Sequence, residues 1–365
     1  MNTLTDPDRS AEILDFLSQA GLSDVRSDPI NQDASTRRYE RLIKDDKSYI
    51  LMDAPPANEE QPCGPDASER DRILAGWNGR TRLAASRVDA FVGIGEHLRS
   101  IGLSAPEVLA FDVERGLCLL EDLGNRVFAR EIEQGLDERS IYRPAADALI
   151  RAHLSPTPHT VTAGDYIWPI LDYDRLALTT GADLFPKWYP AFDERVRFSG
   201  DLAAQYDDVI ATLSEHLTRL PKVLLLRDYH AENLIWLPER SDVQRVGILD
   251  FQDAVRGPAA WDLAMFLQDA RRDVSPDLQA ELIDHYLAET GYDSADFGRD
   301  YAIAGAVNAL RIIGVFARLI SRDGKPRYND FLPREWGHLK QNLQHEALAD
   351  LRRILETAAP FLKSE

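Results

Sequence analysis

The sequence predicts a two-lobed α+β fold, with a small antiparallel sheet at its N-terminal end and a larger, mostly helical C-terminal part. Three observations predict it. At roughly 150 residues per domain, the 365 residues can build about two cores. Strand-like runs crowd the first third of the chain, and helical periodicity dominates after Gly124. The two textures meet at Glu121-Asp122-Leu123-Gly124, which divides the chain into lobes at 1–121 and 122–365.

Taken in order, residues 9–20 read as a helix closed by Gly21. Strands are expected at 38–42 and 48–52, joined by the charged turn KDDK. Residues 55–80, rich in Pro, Gly, Asn and Asp, read as a long surface excursion. A helix over 88–98 gathers Phe91, Ile94, Gly95 and Leu98 on one face, and strands follow at 107–112 and 117–121. Beyond the seam, helices are expected near 139–153, 201–219, 259–270, 276–290, 298–320 and 345–357. Two strand-like segments, 233–237 and 245–250, interrupt them. The apolar stretch 302–320 carries Asn308, Arg311 and Arg318 at helical spacing, which reads as a core helix rather than a membrane span.

Composition narrows the function classes. Hydrophobic residues make up 44% and charged residues 28%, an ordinary globular balance. Sixty-one acids against 42 Lys and Arg give a net charge of -19. Such a surface repels phosphodiester backbones and anionic lipid, so nucleic acid and membrane partners are not expected. A nucleotide that arrives with its own Mg2+ is still admissible. Cys63 and Cys118 lack CxxC or Cys/His spacing, which argues against disulfide and zinc scaffolds and suits a reducing cytoplasm. The N-terminus shows neither the basic nor the apolar region of a signal peptide. A cytoplasmic monomer is expected.

The chemistry concentrates between Leu224 and Asp262. Asp228 is followed five residues later by Asn233, and Asp250-Phe251 ends an apolar run. This is the D-x-x-x-x-N … D-F order of phosphoryl-transfer enzymes. If the two strand-like segments pair with Leu237 opposite Val246, Asn233 lies opposite Asp250. A carboxamide and a carboxylate then converge as oxygen ligands for Mg2+, with Asp228 placed to take or orient the proton of an attacking hydroxyl.

These residues resemble the aminoglycoside phosphotransferase-type kinases, small-molecule kinases with a protein-kinase-like fold. Within them, the likeness is to the bacterial anomeric sugar kinases of cell-wall recycling, which act on N-acetylmuramate and N-acetylglucosamine. It is carried by DASTRRYERL (33–42), LMDAPP (51–56), LDFQDAVRGPAAWDLA (249–264) and FARLISRDGKPRYNDFLPR (316–334). The resemblance implies that Asp228 is the catalytic base and that Asn233 and Asp250 hold the metal. It also implies that Asp262 supports the catalytic loop, and that backbone groups of Glu121 and Leu123 meet adenine in the hinge LLEDLG. The implied reaction is Mg2+-dependent transfer of the γ-phosphoryl group of ATP, or GTP, to a sugar hydroxyl.

The chain departs from the family pattern at three places. Leu226 stands where a His often precedes the catalytic Asp, and Gln252 replaces the Gly after Asp-Phe. The strand that usually carries a phosphate-binding Lys has Met52 or its neighbour instead. Arg37 and Arg38, with Ser35 and Thr36, are the candidates to contact phosphates in its place, and Glu96 on the 88–98 helix is the candidate ion-pair partner. Gln252, Asp253 and Trp188 are candidate substrate contacts; Arg322, Asp323 and Lys325 either serve a carboxylate or form a solvated loop. Two other readings stay open: a cationic acceptor such as an aminoglycoside or a choline-like amino alcohol, and a non-catalytic nucleotide-binding pseudokinase. The missing Lys motivates the second, and the intact Asp228, Asn233 and Asp250 oppose it.

Overall fold

The computed structural model describes residues 7–30, 37–55 and 60–363. The N-terminal lobe runs α1 (Pro7–Gln19), β1 (Arg26–Ile30), β2 (Arg38–Lys44), β3 (Lys47–Asp53), α2 (Glu69–Leu74), α3 (Trp77–Thr81), α4 (Val88–Ser100), β4 (Val108–Asp112) and β5 (Leu117–Glu121). The C-terminal lobe continues with α5 (Phe128–Glu133), α6 (Glu138–Leu154), β6 (Thr160–Ala163), β7 (Tyr166–Pro169), α7 (Arg175–Ala182), α8 (Leu184–Phe192), α9 (Gly200–Arg219) and β8 (Lys222–Leu225). It ends with β9 (Leu234–Trp236), β10 (Val246–Ile248), β11 (Val255–Pro258), α10 (Ala260–Leu267), α11 (Pro276–Thr290), α12 (Ser294–Ser321), α13 (Leu332–Asn342) and α14 (Ala349–Ala358).

The first lobe is an antiparallel sheet in the order β1-β2-β3-β5-β4. Because side chains alternate along a strand, the sheet serves two cores. Leu42, Leu51, Leu117 and Leu119 pack under Phe16 and Leu17 of α1. Met52, Cys118 and Leu120 face the other way and join Val88, Phe91, Ile94 and Leu98 of α4 in the main core. The strand β1 is absent from the sequence reading. Its residues, RSDPI, look like a turn, and Pro29 is accommodated because β1 lies at the sheet edge.

The segment read as a surface excursion, 55–80, carries helices that the sequence reading did not expect. Its described part folds into α2, started by a Ser68/Asp71 capping box, and α3. Buried Arg72 donates to both carboxylate oxygens of Asp174, at 2.6 and 3.0 Å, and to the carbonyls of Gly79 and Arg80. Polar composition concealed a segment anchored by one buried arginine to a carboxylate and backbone carbonyls, so no apolar periodicity marked it.

The second lobe is organised around α12, which packs on α7, α8, α9, α10 and α13. By length and composition α12 could cross a membrane, but two-thirds of its most apolar window is buried inside the protein, as a core helix requires. Close approach of α8 to α12 needs Gly314, where a Cβ would sit 2.4 Å from the backbone carbon of Leu184. The helix α8 (LFPKWYPAF) escaped the sequence reading because its two prolines read as breakers.

Candidate active site

The site is assembled where β9 and β10 pair. Trp236 lies opposite Val246 and Leu234 opposite Ile248, one residue away from the expected partnering of Leu237 with Val246. The observed register sets Ile235 against Gly247, and a Cβ on Gly247 would lie 3.0–3.2 Å from Leu123, Ile235 and Leu237. A side chain there would press on all three, so the observed register is one that glycine accommodates without displacing its neighbours. In consequence Asn233 faces Leu249, whose N–H donates to the Asn233 carbonyl at 2.9 Å. Asp250 follows in the left-handed region, at φ 57°, so a turn, and not the ladder, sets its direction.

Asp228 sits on a tight loop in which its N–H donates to the Leu226 carbonyl at 2.9 Å and Arg227 has φ 68°. Two groups hold this strained turn. The fully buried Asp262 accepts the N–H groups of Leu226 and Arg227 at 2.6 and 2.9 Å. The Arg227 guanidinium donates to the carbonyls of Thr81 and Arg82 at 3.1 and 3.3 Å and lies 4.7 Å from the Tyr173 ring centroid. Thus the segment after α3 reaches across the lobes and grips the residue next to Asp228. Asn233 Nδ2 donates to the Asp228 carbonyl at 3.0 Å. Burial, and then the negative charge of Asp250, push the Asp228 carboxyl up to about 6, against opposing effects of Arg311 and Arg227.

The oxygen atoms left over suit a hard divalent cation. With its Nδ2 committed to the Asp228 carbonyl, Asn233 keeps Oδ1 as a free acceptor. Asp250 engages Arg37 and Gln252 through Oδ1 alone. No group of three or more His, Cys, Asp or Glu side chains gathers as a metal cage among the described residues. One carboxylate and one carboxamide, completed by substrate phosphates, is how Mg2+ is commonly held.

The remaining candidates fall into place unequally. Arg37 reaches Asp250 Oδ1 through Nη2 at 2.7 Å. Burial would lower its pKa, but the charges of Tyr39, Asp250 and Asp253 outweigh it and raise the value. Arg38 is exposed, because strand alternation turns it to the opposite face. Glu96 is exposed on α4 and makes no ion pair among the described residues, so the expected partnership with Arg37 or Arg38 is corrected: the carboxylate is Asp250. Ser35 and Thr36 lie outside the described residues. Gln252 is buried, and its amide bridges Asp250 Oδ1 and Asp253 Oδ2 at 3.0 and 3.2 Å. Asp253 Oδ1 accepts the Ala84 N–H at 2.6 Å. Both side chains are engaged with the protein, Gln252 through its Nε2, while the buried Gln252 Oε1 has no hydrogen-bond partner among the described residues. At the hinge, the Glu121 N–H is taken by the Glu107 carbonyl, and Leu123 packs on Gly247. Asp122 makes a two-pronged ion pair with Arg41 at 2.6 and 3.0 Å.

The comparisons with known proteins can be set against this geometry. The sequence profile of the APH phosphotransferase enzyme family matches residues 28–297. The chain belongs to that family. It is 48% identical to the N-acetylmuramate/N-acetylglucosamine kinase of Caulobacter vibrioides over 97% of each chain. It is 31% identical to the enzyme of the same name from Pseudomonas aeruginosa, over 90% of this chain and 87% of that one. A thermostable mutant aminoglycoside phosphotransferase, solved in a ternary complex with AMP-PNP and hygromycin B, superposes with a TM-score of 0.53 at 14% identity, over 91% of this chain and 98% of that one. The protein-kinase-like fold of this phosphotransferase is therefore shared, as the motifs implied.

Sequence reasoning missed a cavity beside Asp228. A cavity of about 110 Å³ adjoins Asp228, lined also by His230, Met265, Asp269, Arg271 and Arg311. Burial, and then the charges of Arg271 and Arg311, hold the His230 imidazole well below its usual pKa, hence neutral. Trp188 is not among the lining residues; it packs beneath Arg322, 5.9 Å from the ring centroid, and Arg322 pairs with Asp323. The usable signal was Arg311, flagged by helical spacing but read only as a polar break in a core helix.

Proposed function

We propose that this chain transfers the γ-phosphoryl group of ATP to the anomeric hydroxyl of N-acetylmuramate and N-acetylglucosamine, in the cytoplasm. The observation that carries the reading is the 48% identity, over 97% of each chain, to a kinase named for these two sugars. The cleft supplies the chemistry. Asp228 receives or orients the acceptor proton, and a carboxyl pushed up to about 6 is ionised at neutral pH yet basic enough to share a proton. Asn233 and Asp250 would hold Mg2+, which neutralises phosphate charge when bound. Arg37, already at Asp250, takes the place of the strand lysine toward the phosphates. The strand β3 ends in buried Met52 and in Asp53, which is paired to Arg9, so it offers no cation there. The backbone at Glu121 and Leu123 is the adenine-binding hinge. The cavity wall sets two arginines, Arg271 and Arg311, against two carboxylates, Asp228 and Asp269, and pairs Arg271 with Asp269.

The test is turnover by purified protein with ATP and Mg2+ against both sugars, an aminoglycoside and choline. ADP release should require one of the sugars and should be lost in Asp228→Asn. Release with the aminoglycoside or choline alone, or acceptor-independent release that Asp228→Asn leaves untouched, would show the reading to be wrong.

A further inference from the structure

This inference rests on the sugar-kinase reading and concerns how the acceptor is chosen. Several withdrawn arginines of this chain face a carboxylate, Arg9 meeting Asp53, Arg41 meeting Asp122 and Arg72 meeting Asp174, while Arg227 is held by two carbonyls and the Tyr173 ring. Arg311, half-buried in the wall of the cavity beside Asp228, is different. Among the described residues it has no carboxylate within ion-pair reach. Neutral groups hold it instead. Nε donates to Asn308 Oδ1 at 3.0 Å, and Nη2 points to Met265 Sδ at 3.7 Å. Its stem crosses Gly181, where a Cβ would lie 3.0 Å from Arg311 Cδ. A larger residue there would displace the arm. Nη1 makes no hydrogen bond among the described residues. The guanidinium is thus fixed in direction, with no carboxylate in direct contact and one donor edge open, and its charge is felt by the Asp228 and Glu335 carboxyls only at longer range.

Withdrawing a cation from water without a counter-charge is unfavourable, and a pre-oriented guanidinium with free donors binds carboxylates well. The cavity that Arg311 faces is the one containing Asp228, so an anion bound there belongs to the acceptor or to the transferring phosphate. Asn233, Asp250 and Arg37 already gather on the phosphate side. We infer that Arg311 is a specificity-determining residue that receives the carboxylate of an acidic sugar. N-acetylmuramate has such a group and N-acetylglucosamine does not, so the first gains a charged contact that the second lacks.

The test is the ratio of kcat/KM for the acidic sugar over the neutral one, measured in wild type, Arg311→Gln and Arg311→Lys. Losing one charged contact should lower that ratio about tenfold or more in Arg311→Gln, and Arg311→Lys should recover part of it. An unchanged ratio, whether both sugars are lost together or both are kept, overturns the inference, because a phosphate-binding or purely structural arginine affects both alike. Wild type supplies a second arm that needs no variant. It should prefer N-acetylmuramate over its methyl ester, which keeps the ring and loses the charge, and equal use of acid and ester overturns the inference. Wild type that uses N-acetylglucosamine but not N-acetylmuramate sinks the carboxylate subsite alone. Wild type that phosphorylates neither sugar sinks the sugar-kinase reading and this inference with it.

Discussion

Replacing Asp228 with Asn should abolish most activity and, at the same time, stabilise the protein above neutral pH. The carboxyl is pushed up from 3.8 to about 6 by burial and by Asp250. At 1.36 kcal/mol per unit, keeping it ionised at pH 8 costs the folded state about 3 kcal/mol. Part of Asp228 faces the cleft, so solvent screening makes that figure a ceiling. The sign follows from proton binding. The folded state holds this proton more tightly than the unfolded chain, so the group's favourable contribution is complete below about pH 4 and is lost as pH rises through about 6. Asn has the same shape and no charge, so it escapes the loss. Its advantage over wild type should widen by about 1.4 kcal/mol between pH 5 and pH 8. Urea unfolding of both proteins at several pH values, without nucleotide, measures this directly. The same titration should make wild-type kcat/KM fall below about pH 6, and Asp228→Asn should lower kcat by about 10²- to 10⁴-fold. If the variant is no more stable at pH 8, or its advantage does not grow from pH 5, the claim that Asp228 is held ionised at a cost is refuted.

Three more outcomes follow from the same contacts. Asp262→Asn leaves one of the two N–H groups of the catalytic loop without its acceptor, and should cost about 2–4 kcal/mol in denaturant titration together with a fall in kcat. Arg227→Ala removes the grip of the Thr81–Arg82 segment on that loop; a loss of about 2–3 kcal/mol is expected. Its kcat should drop more than the nucleotide KM rises, with partial rescue by Arg227→Lys; unchanged kcat despite lower stability would show the grip to be structural only. Arg37→Ala should raise the KM for ATP or lower kcat, whereas Arg38→Ala, on the exposed opposite face, should match wild type within about twofold; equal effects from the two would refute the assignment of faces.

How far the sequence foretold the molecule depended on which interactions held each part. Elements built on apolar repetition were legible: α4 presents Phe91, Ile94 and Leu98 to the core, and β5 has the limits read from its Leu-rich run. The helix α1 was legible because Gly21 closes it at φ 76°. Elements held by polar contacts were not. The strand β1 carries Ser, Asp and Pro, and α2 is anchored through an arginine–aspartate pair that joins residues 102 positions apart. The register of β9 and β10 differs by one residue from the expected one, and the tight surroundings of Gly247 are a local packing feature that the hydrophobic pattern does not encode.

The same distinction separates the two sides of the cleft. Asp228, Asn233, Asp250 and Asp262 fall within 35 residues, on one loop, one hairpin and the helix that braces them, so their spacing alone carried the chemistry. The cavity proposed to take the acceptor is lined by residues of α10, of α12 and of the loop that carries Asp228, which share no motif. Net charge was no guide either. A total of -19 describes the outer surface, yet the wall beside Asp228 presents Arg271 and Arg311 to the bound molecule. Fields of individual groups act within a few ångströms of a poorly solvated cavity and are screened beyond about a Debye length. On the proposed reading the choice of acceptor lies with those two arginines, the neutral His230 and the two carboxylates, Asp228 and Asp269, that share the wall, and the acids of the outer surface weigh little in it.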